Sequence, residues 1–362
     1  MERLLQGEQV EWVKLGEVTT YEQPSKYIVN SREFCDTPNH TSNIPVLTAG
    51  KTFILGYTCE NEGIYKAAEK PVIIFDDFTT DTRWIDFDFK IRSSTLKMIT
   101  STDETFALQK FIFYWLEVQS SPEKGSNRRQ WISNYANKKI PIPPLHVQEK
   151  IVSILDTFTE LTKELTKEQQ ARQTQYEYYR DKLLTFEDGE VEWVKLQKIA
   201  RLRNGKDWKS LSEGDIPVYG SGGVMAYVNS YAYNKPTVLI PRKGTLTNIF
   251  YVEQPFWNVD TIFYTEIDIE QINPKYFYYF IKSLDLMSLN TGTGRPSLTQ
   301  TVLNKLKIPI PPLHIQQEIV DKLDRFNALA NSITEGLPRE IELRQQQYEY
   351  YRDLLLDFPK AA

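Results

Sequence analysis

The chain repeats itself, and this duplication limits what it can fold into. Ile140–Gln148 reads IPIPPLHVQ, and Ile308–Gln316 reads IPIPPLHIQ. Gln175–Asp181 and Gln347–Asp353 both read QYEYYRD. The chain has 362 residues, and a domain holds about 150 as a rule of thumb. Two related units are therefore predicted, each with a variable globular part, a proline-rich hinge and a helical part.

The order of the repeated segments predicts a circular arrangement. Leu4–Leu15 resembles Leu183–Leu196, because both carry two leucines ahead of the hexapeptide VEWVKL. The second helical part ends with the equivalent leucines, Leu355 and Leu356. The first residues therefore match the tail of a helix whose body lies at the C-terminus. We expect the two chain ends to lie near one another, in a molecule with pseudo-twofold symmetry. The alternative is that Met1–Leu15 is a leader strand.

Two proline pairs predict the starts of two long helices. Pro143–Pro144 and Pro311–Pro312 suit a first helical turn and block helix before it. About 40 residues follow each pair, enough for a rod of about 60 Å. Apolar side chains recur at heptad spacing in both rods, which predicts a coiled coil. The predicted packing positions are Ile151, Leu155, Phe158, Leu165, Tyr176, Tyr179 and Leu183 in the first helix, and Ile319, Leu323, Phe326, Ile333, Ile341, Tyr348, Tyr351 and Leu355 in the second.

A circular repeat requires these two helices to run antiparallel, each as the other's partner. Four extra residues in the second copy lie around Gly336-Leu337-Pro338. They predict a local break or kink in that helix. The alternative is two ordinary core helices, which the length of the rods and their polar outer faces disfavour.

The globular parts predict an α+β fold. Pro71–Phe75 and Pro236–Ile240 are short apolar runs typical of buried strands. Trp84–Phe89 alternates as a half-exposed strand does. Phe106–Glu117 and Pro274–Leu286 are aromatic-rich and predict helices.

Composition excludes several classes of protein. The hydrophobic fraction of 41% is too high for a disordered chain. No apolar run reaches the length of about 18 residues that a membrane span needs. The two cysteines, Cys35 and Cys59, are too few for a disulfide framework or a four-ligand zinc site. A reducing cytoplasm is therefore the expected compartment, with no membrane partner.

Motifs that would indicate catalysis are incomplete. Ala49–Thr52 matches the end of a phosphate-binding loop, but Pro45 stands where the first glycine should be. Asp76, Asp88 and Lys90 imitate a nuclease cluster, but the repeat counterpart of this region is basic. No nucleophile, base and orienting group form a set. We predict that the chain holds no catalytic or metal site.

A recognition signal remains, in glycine-bearing loops that carry cations and hydroxyl groups. Although the net charge is −5, residues 191–308 carry 14 basic and 10 acidic side chains. Lys, Arg, Ser and Thr contact phosphates, and Arg also reads base edges in the major groove. The predicted DNA contacts are Lys51, Lys66, Arg92, Lys97, Arg128 and Arg129 in the first unit, and Lys206, Lys209, Ser221, Arg242, Lys243, Thr245, Thr247, Arg295 and Ser297 in the second.

Taken together, these segments resemble the specificity subunits (HsdS) of type I restriction-modification systems. The resemblance covers essentially the whole chain. It is carried by the duplicated hinge and QYEYYRD segments, and by Ile216–Gly222, Pro236–Gly244 and Pro255–Thr261.

The resemblance implies two target recognition domains, at residues 1–143 and 188–311. Two long antiparallel coiled-coil helices, at 144–187 and 312–358, would join them. Each domain would read one half of a bipartite, asymmetric site in double-stranded DNA. The helices would set the spacer between the half-sites and dock two modification (methyltransferase) subunits. Restriction and motor subunits would join through that complex.

The resemblance also implies that catalysis belongs to the partners. The assembled complex would be an adenine-specific DNA methyltransferase and an ATP-dependent endonuclease. S-adenosylmethionine, ATP and Mg²⁺ would bind the partner subunits, and this chain would hold no cofactor. Two rivals remain open: a twin-domain protein–protein scaffold without a DNA role, and a stand-alone methyltransferase or nuclease. The acidic helices suit a scaffold, whereas the cation-bearing loops in both units do not.

Overall fold

The structure is a computed structural model in which two compact units can be described. It describes residues 5, 7–31, 34–39, 43–50, 52–119, 129–187, 189–292, 294–331 and 336–358. Unit 1 comprises residues 1–164 and 341–362, and unit 2 comprises residues 165–340. Each unit is an α+β body, and unit 1 includes a helical segment from the distant C-terminal part of the chain.

Unit 1 has two small sheets, a strand pair and a helical layer. A four-stranded sheet has the order β2-β8-β5-β6, a three-stranded sheet has the order β4-β3-β7, and β1 pairs with β9. The elements are β1 (Glu11–Lys14), α1 (Leu15–Val18), β2 (Thr19–Glu22), a 3₁₀ turn (Pro24–Tyr27), β3 (Ile44–Leu47), β4 (Ile54–Thr58), β5 (Val72–Asp76), β6 (Thr82–Ile85), β7 (Lys90–Ile91), β8 (Leu96–Ser101), α2 (Gln109–Glu117), a second 3₁₀ turn (Tyr135–Asn137), β9 (Lys139–Ile142) and α3 (Leu145–Leu184), which continues into unit 2.

Unit 2 follows the same plan. Its sheets have the orders β11-β17-β14-β15 and β13-β12-β16, and β10 pairs with β18. The elements are β10 (Glu192–Lys195), α4 (Leu196–Ile199), β11 (Ala200–Asn204), β12 (Ile216–Gly220), β13 (Gly223–Val228), β14 (Thr237–Pro241), β15 (Phe250–Val252), β16 (Trp257–Asn258), β17 (Ile262–Ile267), α5 (Pro274–Ser283), α6 (Gln300–Leu303), β18 (Lys307–Ile310), α7 (Leu313–Asn331) and α8 (Leu337–Leu356), which continues into unit 1.

The two units share strand pairing down to the register. In unit 1, Trp12 lies opposite Pro141 and Val13 opposite Ile140. In unit 2, Trp193 lies opposite Pro309 in the matching strand pair. The single parallel contact of each three-stranded sheet, β3 with β7 and β12 with β16, is also duplicated. The sequence repeat is therefore a repeat of fold.

Local sequence explains the main elements. All five residues of β5 and of β14 are buried, as expected for continuous apolar runs in the middle of a sheet. Asn273 caps α5, since its side chain accepts hydrogen bonds from the backbone N–H groups of Lys275 and Tyr276. The helix α3 begins at Leu145, directly after the Pro143–Pro144 pair.

The core of unit 1 joins the start of one long helix to the end of another. Ile151 and Leu155 of α3 are fully buried in it. Leu355 and Leu356 of α8 belong to the same core, and so does Leu5 near the N-terminus. Residues from both chain ends are thus buried within one unit.

The core of unit 2 has the same construction. Ile319 and Leu323 of α7 are buried with Tyr176 and Leu184, which lie near the end of α3. The tail of a long helix therefore packs in each unit, at equivalent repeat positions.

One stacked aromatic pair recurs between the helical segments of each unit. In unit 1, the rings of Phe158 and Tyr351 have centroids 5.4 Å apart and planes 17° apart. In unit 2, Tyr179 and Phe326 stack with centroids 5.1 Å apart and planes 10° apart. Among the other predicted packing positions, Tyr348 also packs on the unit 1 core, Leu165, Leu183 and Ile341 are half-buried, and Ile333 lies outside the described residues.

One sequence expectation is confirmed and another needs correction. The break predicted around Gly336-Leu337-Pro338 is present, because Gly336 lies outside any helix and the second helical part comprises α7 and α8. The strand expected over Trp84–Phe89 ends at Ile85, and Phe89 instead forms an isolated β-bridge with Tyr65. In the described part of the chain, no helix combines the length and apolar character that crossing a membrane requires.

Candidate nucleic-acid interface

In unit 2, the predicted Arg242–Lys243 loop is fixed between two other segments. The loop follows the buried strand β14, and the backbone N–H groups of Arg242 and Lys243 donate to the carbonyl of Thr261 at 2.9 and 3.2 Å. On its other side, Leu298 donates to the carbonyl of Arg242 at 2.8 Å, and Lys243 forms a β-bridge with Ser297. Three of the predicted contact residues are therefore held side by side.

The turn at Ser221 joins the same surface. The Ser221 N–H donates to Thr261 Oγ1 at 3.2 Å, and the Asn248 side chain donates to the Ser221 carbonyl at 3.0 Å. Gly244 has a φ of +89°, and a Cβ built on it would lie 3.1 Å from Ser221 Oγ. Only glycine adopts this backbone readily, and it lets the two loops approach. Thr245 and Thr247 are exposed on the same loop.

The cations of this surface are weakly engaged within the unit. Lys243 Nζ lies 3.5 Å from Asp260 Oδ2, and both side chains are about half-exposed or more. The Arg242 guanidinium stands 5.9 Å from the centre of the Phe263 ring and donates to the Asp260 carbonyl at 3.4 Å. Exposed pairs of this kind contribute little to stability. Both cations can therefore turn towards an external phosphate or base without a large penalty.

Lys206 reaches the same region through a close backbone contact. Its N–H donates to the Asn258 carbonyl at 2.9 Å. A Cβ on the preceding Gly205 would lie 2.2 Å from the Val259 carbonyl oxygen, so only glycine permits this approach. Lys209 is exposed three residues further along, and Arg295 is exposed next to the Ser297 bridge. The structure thus brings the nine unit 2 candidates to neighbouring loops.

In unit 1 the candidates are more dispersed. Arg92 is exposed, with its N–H donating to the Leu47 carbonyl at 2.8 Å. Lys66 is exposed and lies 2.8 Å from Asp88. The hydrogen bond from Lys66 lowers the pKa of Asp88 below its ordinary value. Arg129 is exposed, and Lys51 and Arg128 lie outside the described residues.

The prediction that Lys97 contacts DNA is wrong. Lys97 is 2% exposed, and its ammonium lies 3.4 Å from Asp77, which is equally buried. Asp77 also accepts a hydrogen bond from the Trp131 N–H at 2.8 Å. Removing a cation from such a pair would leave a buried charge without compensation. Sequence alone gave no sign of this burial, because lysine is rarely buried unless it is paired.

The side chains that imitate a nuclease cluster are not assembled. Asp88 bonds to Lys66, whereas Lys90 lies 2.7 Å from Glu60. Asp76 is buried and accepts from the Phe78 N–H at 3.0 Å. Among the described residues, no group of three or more metal-ligating side chains converges.

Exposed apolar residues beside the candidate loops escaped the sequence analysis. Val224 and Met225 lie near the start of β13, close to the Ser221 turn, and are 45% and 57% exposed. Their structural equivalents at the start of β4, Ile54 and Leu55, are both 39% exposed. The sequence signal that could have identified these residues is the recurrence of two apolar side chains at matching positions of the repeat. Apolar side chains at such places can contact thymine methyl groups.

The duplicated fold, with cation-bearing loops in both units, defines a protein built from two related recognition modules. The model of the type I restriction modification DNA specificity domain matches residues 7–173 and 189–343. The chain therefore belongs to the type I restriction-modification DNA specificity family.

Two relatives and one solved structure match this chain over almost its whole length. The specificity subunit of the type I restriction enzymes EcoR124I and EcoR124II of Escherichia coli is 46% identical, over 99% of this chain and 97% of the relative. The Haemophilus influenzae protein S.HindORF215P is 33% identical, over 99% and 98%. The crystal structure of a type I restriction-modification S subunit from M. genitalium has a TM-score of 0.61 at 18% identity, covering 98% of each chain. That structure supports the fold alone.

Proposed function

We propose that this chain recognises DNA for a type I restriction-modification complex, and that each unit reads one half of a bipartite, asymmetric site. The observation that carries the proposal is a shared scaffold with different loops. The sheets of the two units pair identically. At the end of β14 stand Arg242 and Lys243, whereas the equivalent end of β5 carries the buried Asp77. Unlike loops on one scaffold would read unlike half-sites.

Two readers on one chain would make the target rare enough to be useful. A good bidentate contact between a side chain and a base contributes about 1–3 kcal/mol of discrimination. A few such contacts specify only a short half-site. Holding a second reader at the correct distance raises its effective concentration, so the two half-sites are selected together.

The proposed domain limits follow the hinges. The target recognition domains would span 1–143 and 188–311, and the spacer helices 144–187 and 312–358. The β9 and β18 strands end immediately before Pro143 and Pro311, which supports a change of structure at these points.

We further propose that the helices form an antiparallel, circularly closed pair. Near its N-terminal end, α2 contacts Gln148 of α3 and Phe358. Further along, Tyr114 of α2 contacts Asp156 of α3, and Glu117 contacts Tyr348 of α8. Relative to α2, α3 therefore runs parallel and α8 runs antiparallel, so α3 and α8 run in opposite directions. The burial of Leu5 in the same core as the end of α8 supports closure of the circle.

The proposed partners are two modification subunits bound by the helices, with restriction and motor subunits joining through them. Residues 141–190 carry 10 acidic and 6 basic side chains. That balance suits docking to protein better than contact with phosphate. Methyl transfer with S-adenosylmethionine, and cleavage with ATP and Mg²⁺, would belong to the partners.

An exchange of one domain tests the proposal. Residues 188–311 would be replaced by the matching segment of the Escherichia coli relative, and the chimera expressed with the modification subunits. Sequencing of methylated DNA should show a motif altered in one half only. The reciprocal exchange of residues 1–143 should alter the other half. A motif that changes in both halves, or that does not change, would contradict the assignment of one reader to one half-site.

A further inference from the structure

A buried glutamine attaches the start of each long helix to its own sheet domain. In unit 1, Gln148 is fully buried and accepts a hydrogen bond from the Leu108 N–H at 2.9 Å. Its amide donates to the carbonyls of Phe106 and Pro143 at 2.9 and 2.8 Å. All three bonds go to main-chain atoms, so they tolerate any side chain at positions 106 and 108.

Unit 2 repeats this contact with every partner at its equivalent place. Gln316 is fully buried and accepts from the Asn273 N–H at 2.7 Å. Its amide donates to the carbonyls of Gln271 and Pro311 at 3.2 and 2.7 Å. The residue types at two of the three partner positions differ between the units, yet the main-chain geometry is the same.

A carboxylate further along each helix makes a second polar contact. In unit 1, Asp156 accepts hydrogen bonds from Lys110, at 2.9 Å, and from the Tyr114 hydroxyl, both on α2. Burial, followed by this hydrogen bond to a carboxylate, raises the pKa of Tyr114, so the phenol stays protonated and donates.

The second carboxylate is duplicated as closely as the glutamine. In unit 2, Asp324 accepts from Lys275 at 2.7 Å and from the Tyr279 hydroxyl at 2.5 Å, both on α5. We call Gln148 with Asp156, and Gln316 with Asp324, the helix clamps.

The clamps supply a constraint that apolar packing cannot. The hydrophobic effect is non-directional, so a core of leucines and aromatics resists separation more than it resists sliding or rotation. Hydrogen bonds weaken steeply when they bend. The two residues of each clamp are eight apart, about 12 Å along the helix axis and on a similar face. Two such attachments fix the angle of the helix on its sheet domain.

We propose that Gln148, Asp156, Gln316 and Asp324 are positioning residues that hold each reader at a fixed angle on its helix and thereby restrict the spacer lengths the complex accepts. This inference rests on the proposed function. An error of a few degrees at the unit 1 clamp would be multiplied along the 40 residues of α3, which span roughly 60 Å. A reader on a looser clamp would reach half-sites one base pair too near or too far.

The test uses the assembled complex and a series of duplexes. These carry the two half-sites, read from methylated genomic DNA, at the native spacing and one or two base pairs shorter or longer. Asp156→Ala removes the partly exposed contact of the clamp in unit 1. Tyr114→Phe removes the same hydrogen bond from the other side and keeps the ring in the core. Asp181→Ala is the control, because Asp181 lies on the same helix and its side chain pairs with the adjacent Arg180.

Both clamp variants should raise the ratio of methylation at off-length spacers to methylation at the native spacer. The expected change is roughly three- to tenfold, the size of one hydrogen bond's net contribution. Discrimination among half-site sequences should not change, and Asp181→Ala should match the parent chain. If Asp156→Ala does not assemble, the Tyr114→Phe result decides.

Two outcomes would overturn the inference. One is an unchanged spacer ratio in an assembled clamp variant. The other is an equal loss of methylation at every spacer, which would indicate a role in stability alone. If the parent complex methylates no bipartite site, the proposed function fails instead. A sharp spacer profile in the parent chain that Asp156→Ala and Tyr114→Phe leave unchanged would contradict the clamps alone.

Discussion

The ends of β5 and β14 occupy the same place in the two units, but charged side chains are arranged differently there. In unit 1, Phe75 lies opposite Lys97, and in unit 2, Ile240 lies opposite Phe263. Asp77 and Arg242 are therefore equivalent, each two residues further on. Unit 1 closes this position with the buried Asp77–Lys97 pair, and unit 2 leaves a cation over an aromatic ring.

This difference shows that one place in the shared scaffold can hold either a buried ion pair or accessible cations. In unit 2 the loop after β14 presents two cations at a surface. In unit 1 the charged residue at the equivalent place, Asp77, is buried and paired with Lys97. The exposed cations of unit 1 lie elsewhere, at Lys66, Arg92 and Arg129. We therefore expect the two units to contact DNA through different parts of the same fold.

Breaking the buried pair of unit 1 should have the largest effect. Asp77→Ala leaves the Lys97 ammonium buried without its partner, and should destabilise unit 1 by about 3–5 kcal/mol. Thermal unfolding of the full chain would show this as a lower Tm for one transition. Asp88→Ala, which breaks the exposed pair with Lys66, should cost about 1 kcal/mol or less. Equal effects of the two substitutions would refute the contrast between buried and exposed pairs.

The equivalent substitution in unit 2 should affect binding and not stability. Arg242→Ala and Lys243→Ala should each weaken recognition of one half-site by about 1–3 kcal/mol if they contact bases. A residue that contacts phosphate instead should lower the salt dependence of binding by about one ion. Methylation and DNA binding by the assembled complex measure both, with Lys282→Ala on α5 as the control. Normal methylation by both variants would show that this loop is not part of the interface.

Tyr348 and Tyr176 give a smaller contrast at equivalent positions of the two units. The Tyr348 hydroxyl donates to Glu117 at 2.6 Å. The buried Tyr176 hydroxyl has no hydrogen-bond partner in the described part of the chain. Tyr348→Phe should therefore lower stability by about 1–2 kcal/mol, and Tyr176→Phe should leave it within about 0.5 kcal/mol. Urea unfolding of both variants tests this, and a loss in Tyr176→Phe equal to that in Tyr348→Phe would contradict it.

Glu117 should make unit 1 weakly pH-dependent. Burial raises the pKa of Glu117, although the hydrogen bond from Tyr348 and the charge of Arg352 oppose the shift. The folded chain then keeps this proton to higher pH than the unfolded chain does. Its contribution to stability is complete at low pH and declines as the pH rises through the folded pKa.

Glu117→Gln removes this decline, because glutamine does not titrate. The glutamine carbonyl oxygen can still accept a hydrogen bond from the Tyr348 hydroxyl. The Tm of the variant should therefore gain on that of the parent chain as the pH rises above about 4, the ordinary pKa of a glutamate. A difference in Tm that stays constant over this range would count against the raised pKa.

Most of the fold elements that the sequence predicted follow from apolar periodicity and from the positions of the prolines. The runs after Pro71 and Pro236 became β5 and β14, and α3 starts next to its predicted proline pair. These features depend on local patterns, so they can be read from the chain alone. The helix break near Gly336 was also predictable, because proline and glycine act locally.

Features that depend on partners distant in sequence could not be predicted. Whether Lys97 faces solvent or Asp77 depends on the pairing of β5 with β8. The role of Gln148 requires the loop near Leu108, 40 residues away. Both residues were visible in the sequence, Gln148 even within the duplicated hinge, but their burial was not. The unit 2 candidates lie on neighbouring loops because the fold brings these glycine-containing segments together, and their contact with DNA stays a prediction.

Sequencing of methylated DNA from cells that carry this chain with its modification subunits tests the central claim most directly. Two unlike readers held at a fixed distance predict one motif with two different defined halves and a single number of unspecified base pairs between them. A palindromic motif, a continuous one, or a spacer of variable length would contradict that arrangement.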